Sequence, residues 1–121
     1  MKNIHILPTN KPSKLFIDID NDKLTITNNP IGGEHMMNRH IYITSNEEIK
    51  EWYIYKSKLL RASVNHSKYE ILYGKTVILT TDQYLIKDGV QAINDKFIEW
   101  FCSKKGKVDF VEVIPIEDEK N

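Results

Sequence analysis

Short runs of alternating apolar and polar residues are the main pattern along this chain, and they predict a series of β-strands. The runs are NIHIL (3–7), KLFIDID (14–20), KLTITN (23–28), HIYIT (40–44), WYIYK (52–56), LLRASVNH (59–66) and YEILYGKTVILTT (69–81). Pro8 ends the first run, which favours a place at a sheet edge. Asn21-Asp22 predicts a hairpin between the second and third runs, with Leu15, Ile17 and Ile19 facing one way.

A short helix is predicted after the fourth run, because Ser45 and Glu48 match the S-x-x-E capping box. Strand character returns at Trp52, so this helix has room for only one or two turns. Residues 28–38 contain Pro30 and a glycine pair and show no period, which predicts a loop.

The clearest helix is predicted over residues 95–104. Four apolar side chains recur there at helical spacing and form one face: Ile93, Phe97, Trp100 and Phe101. We expect the two phenylalanines of this face to be buried. Asn94 is a good N-cap and Gly106 a natural C-terminal stop. Residues 107–115 alternate again and predict a closing strand.

These elements together predict an α+β fold, in which a curved, mainly antiparallel sheet carries one short helix and one longer C-terminal helix packed on it. A chain of 121 residues suits a single globular domain, residues 1–121, with a core large enough to fold alone. The acidic end, residues 117–121, is expected to be disordered.

The composition is ordinary for a soluble globular protein, with 40% hydrophobic and 28% charged residues. Its apolar runs are far shorter than the roughly 20 residues of a membrane helix. The N-terminus lacks the apolar region and cleavage site of a signal peptide. Cys102 is the single cysteine and has no disulfide partner, which suits a reducing compartment. We therefore expect a cytosolic protein with no membrane partner.

Net charge is zero, but the charges are unevenly distributed. Residues 56–75 carry five basic residues against Glu70 alone, whereas residues 76–121 are acidic. A basic middle segment can steer an anionic partner without raising the overall pI. We expect the partner-binding residues to lie in it: Lys56, Lys58, Arg61 and Lys68. Arg61 is the expected anchor, because a guanidinium forks onto phosphate and carboxylate oxygens. The alternative is a set of solvated lysines on an exposed hairpin.

Candidate metal ligands and nucleophiles are few. Two clusters carry possible metal ligands: Glu34, His35 and His40, and Asp18, Asp20 and Asp22. The first matches no closed zinc pattern, and the second lacks the glycine and distal glutamate of a calcium loop. Cys102 falls in the predicted helix without an activating neighbour other than lysines. With no nucleotide-binding or serine-nucleophile motif, we predict no catalytic residue, no metal and no cofactor.

Asp82 stands where a predicted strand ends, a position shared by catalytic acids and turn residues. Thr80-Thr81 before it and Gln83 after it suit a strand exit in which the aspartate accepts bonds from nearby backbone amides. No histidine, cysteine or second carboxylate lies close in sequence. We interpret Asp82 as a turn residue, although spatial partners from elsewhere in the chain remain open.

Four segments resemble a family of short proteins from phages and prophages of Bacteroidetes, particularly flavobacteria: ILPTNKPSKL, HIYITSNEEIKEWYI, VILTTDQYLIKDGVQAINDKFIEWF and VDFVEV. The likeness spans nearly the whole chain except residues 56–74. The family's TSDEEIKEGDW phrase stands here as TSNEEIKEW, without its Gly-Asp turn. No catalytic residues come with the resemblance.

The resemblance implies a phage protein of the bacterial cytoplasm that disables a host defence without catalysis. It points to an anti-CRISPR protein whose partner is the RNA-targeting type VI-B effector nuclease or its guide-RNA complex. An alternative is a phage accessory protein that binds single-stranded nucleic acid. Lysines would then contact phosphates and aromatic residues would stack on bases: Trp52, Tyr53, Tyr55, Tyr69 and Tyr73. An enzyme is the third possibility.

Overall fold

The computed structural model describes residues 2–32, 36–62 and 68–113, so the acidic end at 117–121 lies outside the described residues. Its elements in chain order are β1 Ile4–Pro8, β2 Ser13–Asp18, β3 Lys23–Ile31, β4 Asn38–Ser45, β5 Trp52–Tyr55, β6 Lys58–Arg61, α1 Lys68–Tyr73, β7 Lys75–Thr80, α2 Gln83–Lys87, β8 Gln91–Ala92 and α3 Asp95–Ser103. The predicted α+β class with a mainly antiparallel sheet is confirmed. Within the described ranges, no helix is both long and apolar enough to cross a membrane.

β4 is the central strand of the sheet, whose main path runs β3-β2-β4-β7-β5-β6. β2 pairs with the beginning of β4 and β7 with its end, while β1 pairs antiparallel with β4 from Ile4 opposite Ile43 to Pro8 opposite Arg39. β8 adds a short parallel pairing to β7. Because β4 meets three strands, side chains from distant parts of the chain gather around it.

Two hairpins rely on residues with positive φ. The predicted hairpin at Asn21-Asp22 is confirmed: Asp22 has φ 55°, and the Asp18 carboxylate accepts the backbone N–H of Asp20 at 2.9 Å. The second hairpin joins β5 and β6 through Lys56 and Ser57, with φ values of 52° and 62°. Positive φ at both central residues is the mark of the tight turn that matches the natural strand twist.

The core lies on both faces of β4. One cluster contains its odd-numbered isoleucines together with side chains from the other strands and α3: Ile4, Leu15, Leu24, Ile41, Ile43, Ile93, Ile98, Phe101 and Cys102. The other cluster contains Tyr42, Ile54, Val77 and Leu85. Successive side chains of a strand point to opposite faces, so α3 covers one face of the sheet and α2 contributes Leu85 to the other.

α3 is fixed at both ends by local contacts. The predicted N-cap is confirmed, because the Asn94 side chain accepts the backbone N–H of Lys96 at 2.7 Å. Gly106 has φ +70° and donates to the Phe101 carbonyl at 3.2 Å, and a Cβ there would come within 3.1 Å of Ile6. Phe101 is fully buried as expected, but Phe97 is only half-buried, because it sits to the side of the face that meets the sheet.

The short helix predicted at Ser45 is wrong, because residues 46–51 are not helical. Ser45 belongs to β4 and pairs with Thr76 of β7, so its backbone is committed to the sheet. Its hydroxyl accepts only the backbone N–H of Glu47, at 3.3 Å. The backbone N–H of Lys50 is bound by the Thr76 hydroxyl at 3.3 Å, which holds the segment against β7 instead.

Residues 69–73, predicted as strand, form α1 instead. Tyr69 and Tyr73 alternate as a strand requires, but they are also one helical turn apart, and their rings stack at 6.3 Å. The helix ends at Tyr73, and the next residue, Gly74, donates its N–H to the Glu70 carbonyl at 2.9 Å. Both patterns fit so short a stretch, and periodicity alone could not choose between them.

Three further predictions about strands are wrong. β3 continues through Pro30 to Ile31, into the stretch predicted as loop. Ile19 is exposed, because β2 already ends at Asp18. Residues 107–113 form no strand: the Asn3 side chain satisfies Val111, donating to its carbonyl at 2.7 Å and accepting its N–H at 2.8 Å. A side chain thereby replaces a backbone ladder.

The burial difference on α3 gives a stability prediction. Phe101→Ala should lower the free energy of unfolding by about 3–5 kcal/mol, since a fully buried ring is replaced by a cavity. Phe97→Ala should cost clearly less, because part of that ring is already in contact with water. Urea unfolding of both variants measures this. Equal losses, or a larger loss for Phe97→Ala, would contradict the packing described for α3.

Candidate functional site

A groove of about 1010 Å³ lies between the β1–β2 loop, the β5–β6 hairpin and α2. Basic side chains from all three segments line it: Lys11, Lys58, Arg61 and Lys87. Two acids, Asp82 and Asp88, also contribute to its walls. The three lysines form no ion pair with another described residue.

Aromatic rings accompany these cations. The Lys11 ammonium lies 4.4 Å from the centroid of the Tyr84 ring, and 54% of Tyr84 is exposed. On the facing hairpin, the Arg61 guanidinium lies 5.5 Å from the Trp52 ring centroid. Cation–π contacts at such distances favour a defined orientation of both partners. The groove therefore offers flat apolar surfaces beside positive charges.

Arg61 has an internal partner. Its Nε donates to the Glu51 carboxylate at 2.8 Å, and its Nη2 donates to the same oxygen. Trp52, next to Glu51, donates from Nε1 to Asp88 at 3.1 Å, which connects the hairpin to the end of α2. An anion entering the groove would have to share the Arg61 guanidinium with Glu51.

The four predicted binding residues do not form one patch. Lys58 and Arg61 line the groove, and Lys56 occupies the exposed turn of the same hairpin. Lys68 begins α1 and borders a different depression, together with Glu47 and Glu48. These four residues are therefore close in sequence but belong to different parts of the surface.

Two basic groove residues, Lys11 and Lys87, lie outside the basic segment of the sequence and were not predicted. Lys11 stands in the loop between Pro8 and Pro12, and Lys87 ends α2. No signal in the sequence joins them, because their proximity depends on β1 and β7 both pairing with β4.

Asp82 confirms its predicted turn role and has a further partner. It is the N-cap of α2, where its Oδ1 accepts the backbone N–H of Tyr84 at 3.0 Å. Its Oδ2 accepts the hydroxyl of Tyr42 at 2.6 Å. Burial, with the bond to Asp82 and its negative charge, raises the pKa of Tyr42, so this hydroxyl stays protonated and donates. The two residues are 40 positions apart in the sequence, so no local pattern indicates this pair.

The remaining candidates for chemistry are buried or lie elsewhere. His40 belongs to β4 and is buried, while Glu34 and His35 lie outside the described residues. Among the residues that the structure describes, no three His, Cys, Asp or Glu side chains are placed to hold a metal ion. Burial raises the pKa of the Cys102 thiol, which keeps it in its unreactive protonated form near neutral pH.

No protein-family model, curated protein or solved structure matches this chain. What the groove binds must therefore be inferred from its own side chains.

The Asp82–Tyr42 contact can be tested by stability. Asp82→Ala removes the helix cap and leaves a buried tyrosine hydroxyl without its acceptor, so it should cost about 2 kcal/mol or more. Asp82→Asn keeps an oxygen for Tyr84 and offers an amide that can donate to Tyr42, so it should cost less than about half as much. Urea unfolding provides both values. Similar losses for the two variants would contradict this account, because they would show that an amide of the same shape cannot replace the carboxylate at this site.

One buried histidine, His40, and one half-buried histidine, His5, make stability depend on pH. Burial lowers the pKa of His40, partly offset by the charge of Asp82, and burial with nearby Lys2 lowers the pKa of His5. Below about pH 6.5 the unfolded chain therefore binds protons that the folded chain does not yet bind. The free energy of unfolding should fall as pH is lowered from 7 through this range. A double variant, His5→Gln with His40→Gln, should show a shallower decline; an unchanged slope would contradict the assignment.

Proposed function

We propose that this protein is a non-enzymatic, phage-encoded inhibitor that acts in the cytoplasm of the bacterial host. Its proposed target is an RNA-guided, RNA-targeting nuclease of the type VI-B class, bound directly or through its guide RNA. The resemblance to short phage proteins of Bacteroidetes supports this proposal. The structural observation that carries it is the groove, in which lysines from three segments line one surface together with the exposed ring of Tyr84.

The groove suits an anionic partner of macromolecular size. Lys11, Lys58 and Lys87 approach it from three separate segments, so a bound chain or surface could contact several charges at once. Such contacts add affinity mainly when the partner's charges match their spacing, and they speed association by long-range attraction. Both an RNA strand and an acidic protein surface meet this description.

The arrangement around Asp82 supports binding without turnover. Each of its oxygens accepts one hydrogen bond, Oδ2 from the Tyr42 hydroxyl and Oδ1 from the backbone N–H of Tyr84, and both bonds stabilise the fold. A general base must lie within hydrogen-bond reach of the substrate proton, and the two protons that Asp82 binds here belong to the protein itself. In this geometry Asp82 is part of the groove wall and shapes it.

A second candidate function is a phage accessory protein that binds single-stranded nucleic acid without a nuclease partner. The exposed ring of Tyr84 favours it, because base stacking on aromatic side chains tolerates any sequence. Pull-down from host cells separates the two. The inhibitor should recover the nuclease in a complex that survives ribonuclease treatment or depends on the guide RNA, whereas the accessory protein should recover mixed RNA or DNA.

The groove predicts a specific charge-reversal result. Changing Lys11, Lys58 and Lys87 together to glutamate should abolish inhibition of target-RNA cleavage. If the partner is single-stranded RNA, the slope of log affinity against log salt should also fall by about 2, since each lost phosphate contact removes about 0.7. Cleavage assays with purified nuclease and binding titrations at several salt concentrations measure these effects.

The matched control reverses Lys56, Lys68 and Lys107, which are exposed and do not line the groove. This variant has the same net charge as the groove variant and should keep most of its inhibition. Circular dichroism verifies that both variants fold. Full inhibition by the groove variant, or a greater loss in the control, would exclude the groove as the binding site.

A further inference from the structure

A second cavity, of about 290 Å³, lies between β2 and β7, where these strands pair with the two ends of β4. It is separate from the groove, since no residue lines both. α2 stands between them, with Gln83 and Ile86 facing the cavity and Tyr84 and Leu85 facing the groove. Taking the ~30 Å³ that a water occupies in the liquid, the cavity has room for about ten water-sized groups.

The cavity walls are mainly apolar. Leu15, Ile93 and Ile98 contribute buried side chains, and Ile26 and Ile86 lie around them. Apolar walls of this kind hold water poorly and favour organic ligands.

The buried hydroxyl groups in the wall are already engaged. The Ser13 hydroxyl donates to the Arg39 carbonyl at 2.6 Å and accepts the N–H of Leu15. The Thr80 hydroxyl donates to the Ile41 carbonyl at 2.8 Å and accepts the N–H of Asp82. These threonine and serine groups therefore have no hydrogen left to offer a ligand.

Among the buried polar side chains of the wall, His40 is the exception. Its exposed fraction is only 2%, and its Nδ1 lies 3.1 Å from the Thr81 hydroxyl, while Nε2 has no hydrogen-bond partner among the described residues. The Thr81 oxygen already accepts the Ile41 N–H at 3.0 Å. When the Thr81 hydroxyl also donates its hydrogen to Nδ1, it acts as both acceptor and donor. The neutral His40 ring then carries its own proton on Nε2.

We propose that this cavity binds a small, uncharged, largely apolar molecule with one carbonyl oxygen, which accepts a hydrogen bond from Nε2 of His40. The apolar walls receive the body of the ligand, and the buried Nε2 donor of His40 selects its acceptor. A carboxylate fits less well, because the ring is neutral and the lining contains the negative Asp95 as well as the positive Lys14. This site does not depend on the groove or on the function proposed for it.

Acetophenone and ethylbenzene form a suitable pair of probes, because they share a phenyl ring and a two-carbon substituent but only acetophenone has a carbonyl. Titration of the full-length protein is followed by NMR through the ring resonances of His40 and, in all variants, through the methyl resonances of Ile98, which lines the same cavity. Acetophenone should shift these resonances and bind roughly three- to tenfold more tightly than ethylbenzene, the range expected for one hydrogen bond. His40→Phe keeps a ring in place but removes the donor, so the preference should disappear.

Tryptophan substitutions at two positions of β8 test where the ligand binds without disturbing the core. Ala92 lines the cavity and Gln91 does not, yet both are exposed. Ala92→Trp should block binding of acetophenone, whereas Gln91→Trp should leave it unchanged. The proposal is wrong if acetophenone leaves the His40 resonances unmoved up to its solubility limit, if Ala92→Trp binds normally, or if the native protein binds both probes equally.

Discussion

The burial of β4 on both faces is the constraint on which the rest of the structure depends. Ile41 and Ile43 point into the cluster beneath α3, and Tyr42 between them points into the cluster that contains Leu85 of α2. A strand that is apolar on both sides must be covered on both sides, so helices are needed on each face. Its backbone must also be paired along its length, and β1, β2 and β7 provide those partners.

The corner after β7, residues 80–82, connects this buried strand to the surface of the protein. Thr80, Thr81 and Asp82 each bind a different group of β4: the Ile41 carbonyl, the Ile41 N–H and the Tyr42 hydroxyl. Buried polar groups with specific partners fix one geometry, because any shift leaves several of them unpaired. The corner thus sets the start of α2, and α2 in turn forms a wall of the groove on one side and of the small cavity on the other.

The groove shows how charge reaches one place without a basic sequence motif. The β5–β6 hairpin brings Lys58 and Arg61, while Lys11 and Lys87 come from segments on the far side of the groove. Glu51 and Asp88 hold the hairpin residues Arg61 and Trp52 in position. A chain with zero net charge can therefore bring several basic side chains to one surface.

The sequence by itself determined the features that depend on neighbouring residues. The β2–β3 hairpin follows from Asn21-Asp22, the start of α3 from the short side chain of Asn94, and the turn after β7 from Asp82. Each is a contact within a few residues, so local chemistry was sufficient to predict it.

Only the tertiary structure decided the features that depend on competition between distant partners. Ser45 carried a capping signal, but pairing with Thr76 kept its backbone in the sheet, and residues 69–73 fitted helix and strand equally well. The partner of Asp82 and the lysines of the groove come from segments that only β4 brings together. Periodicity predicts which face of an element is buried, but it does not predict which other segment covers that face. The groove and the small cavity depend on which segments pack together, so only the tertiary structure determines them.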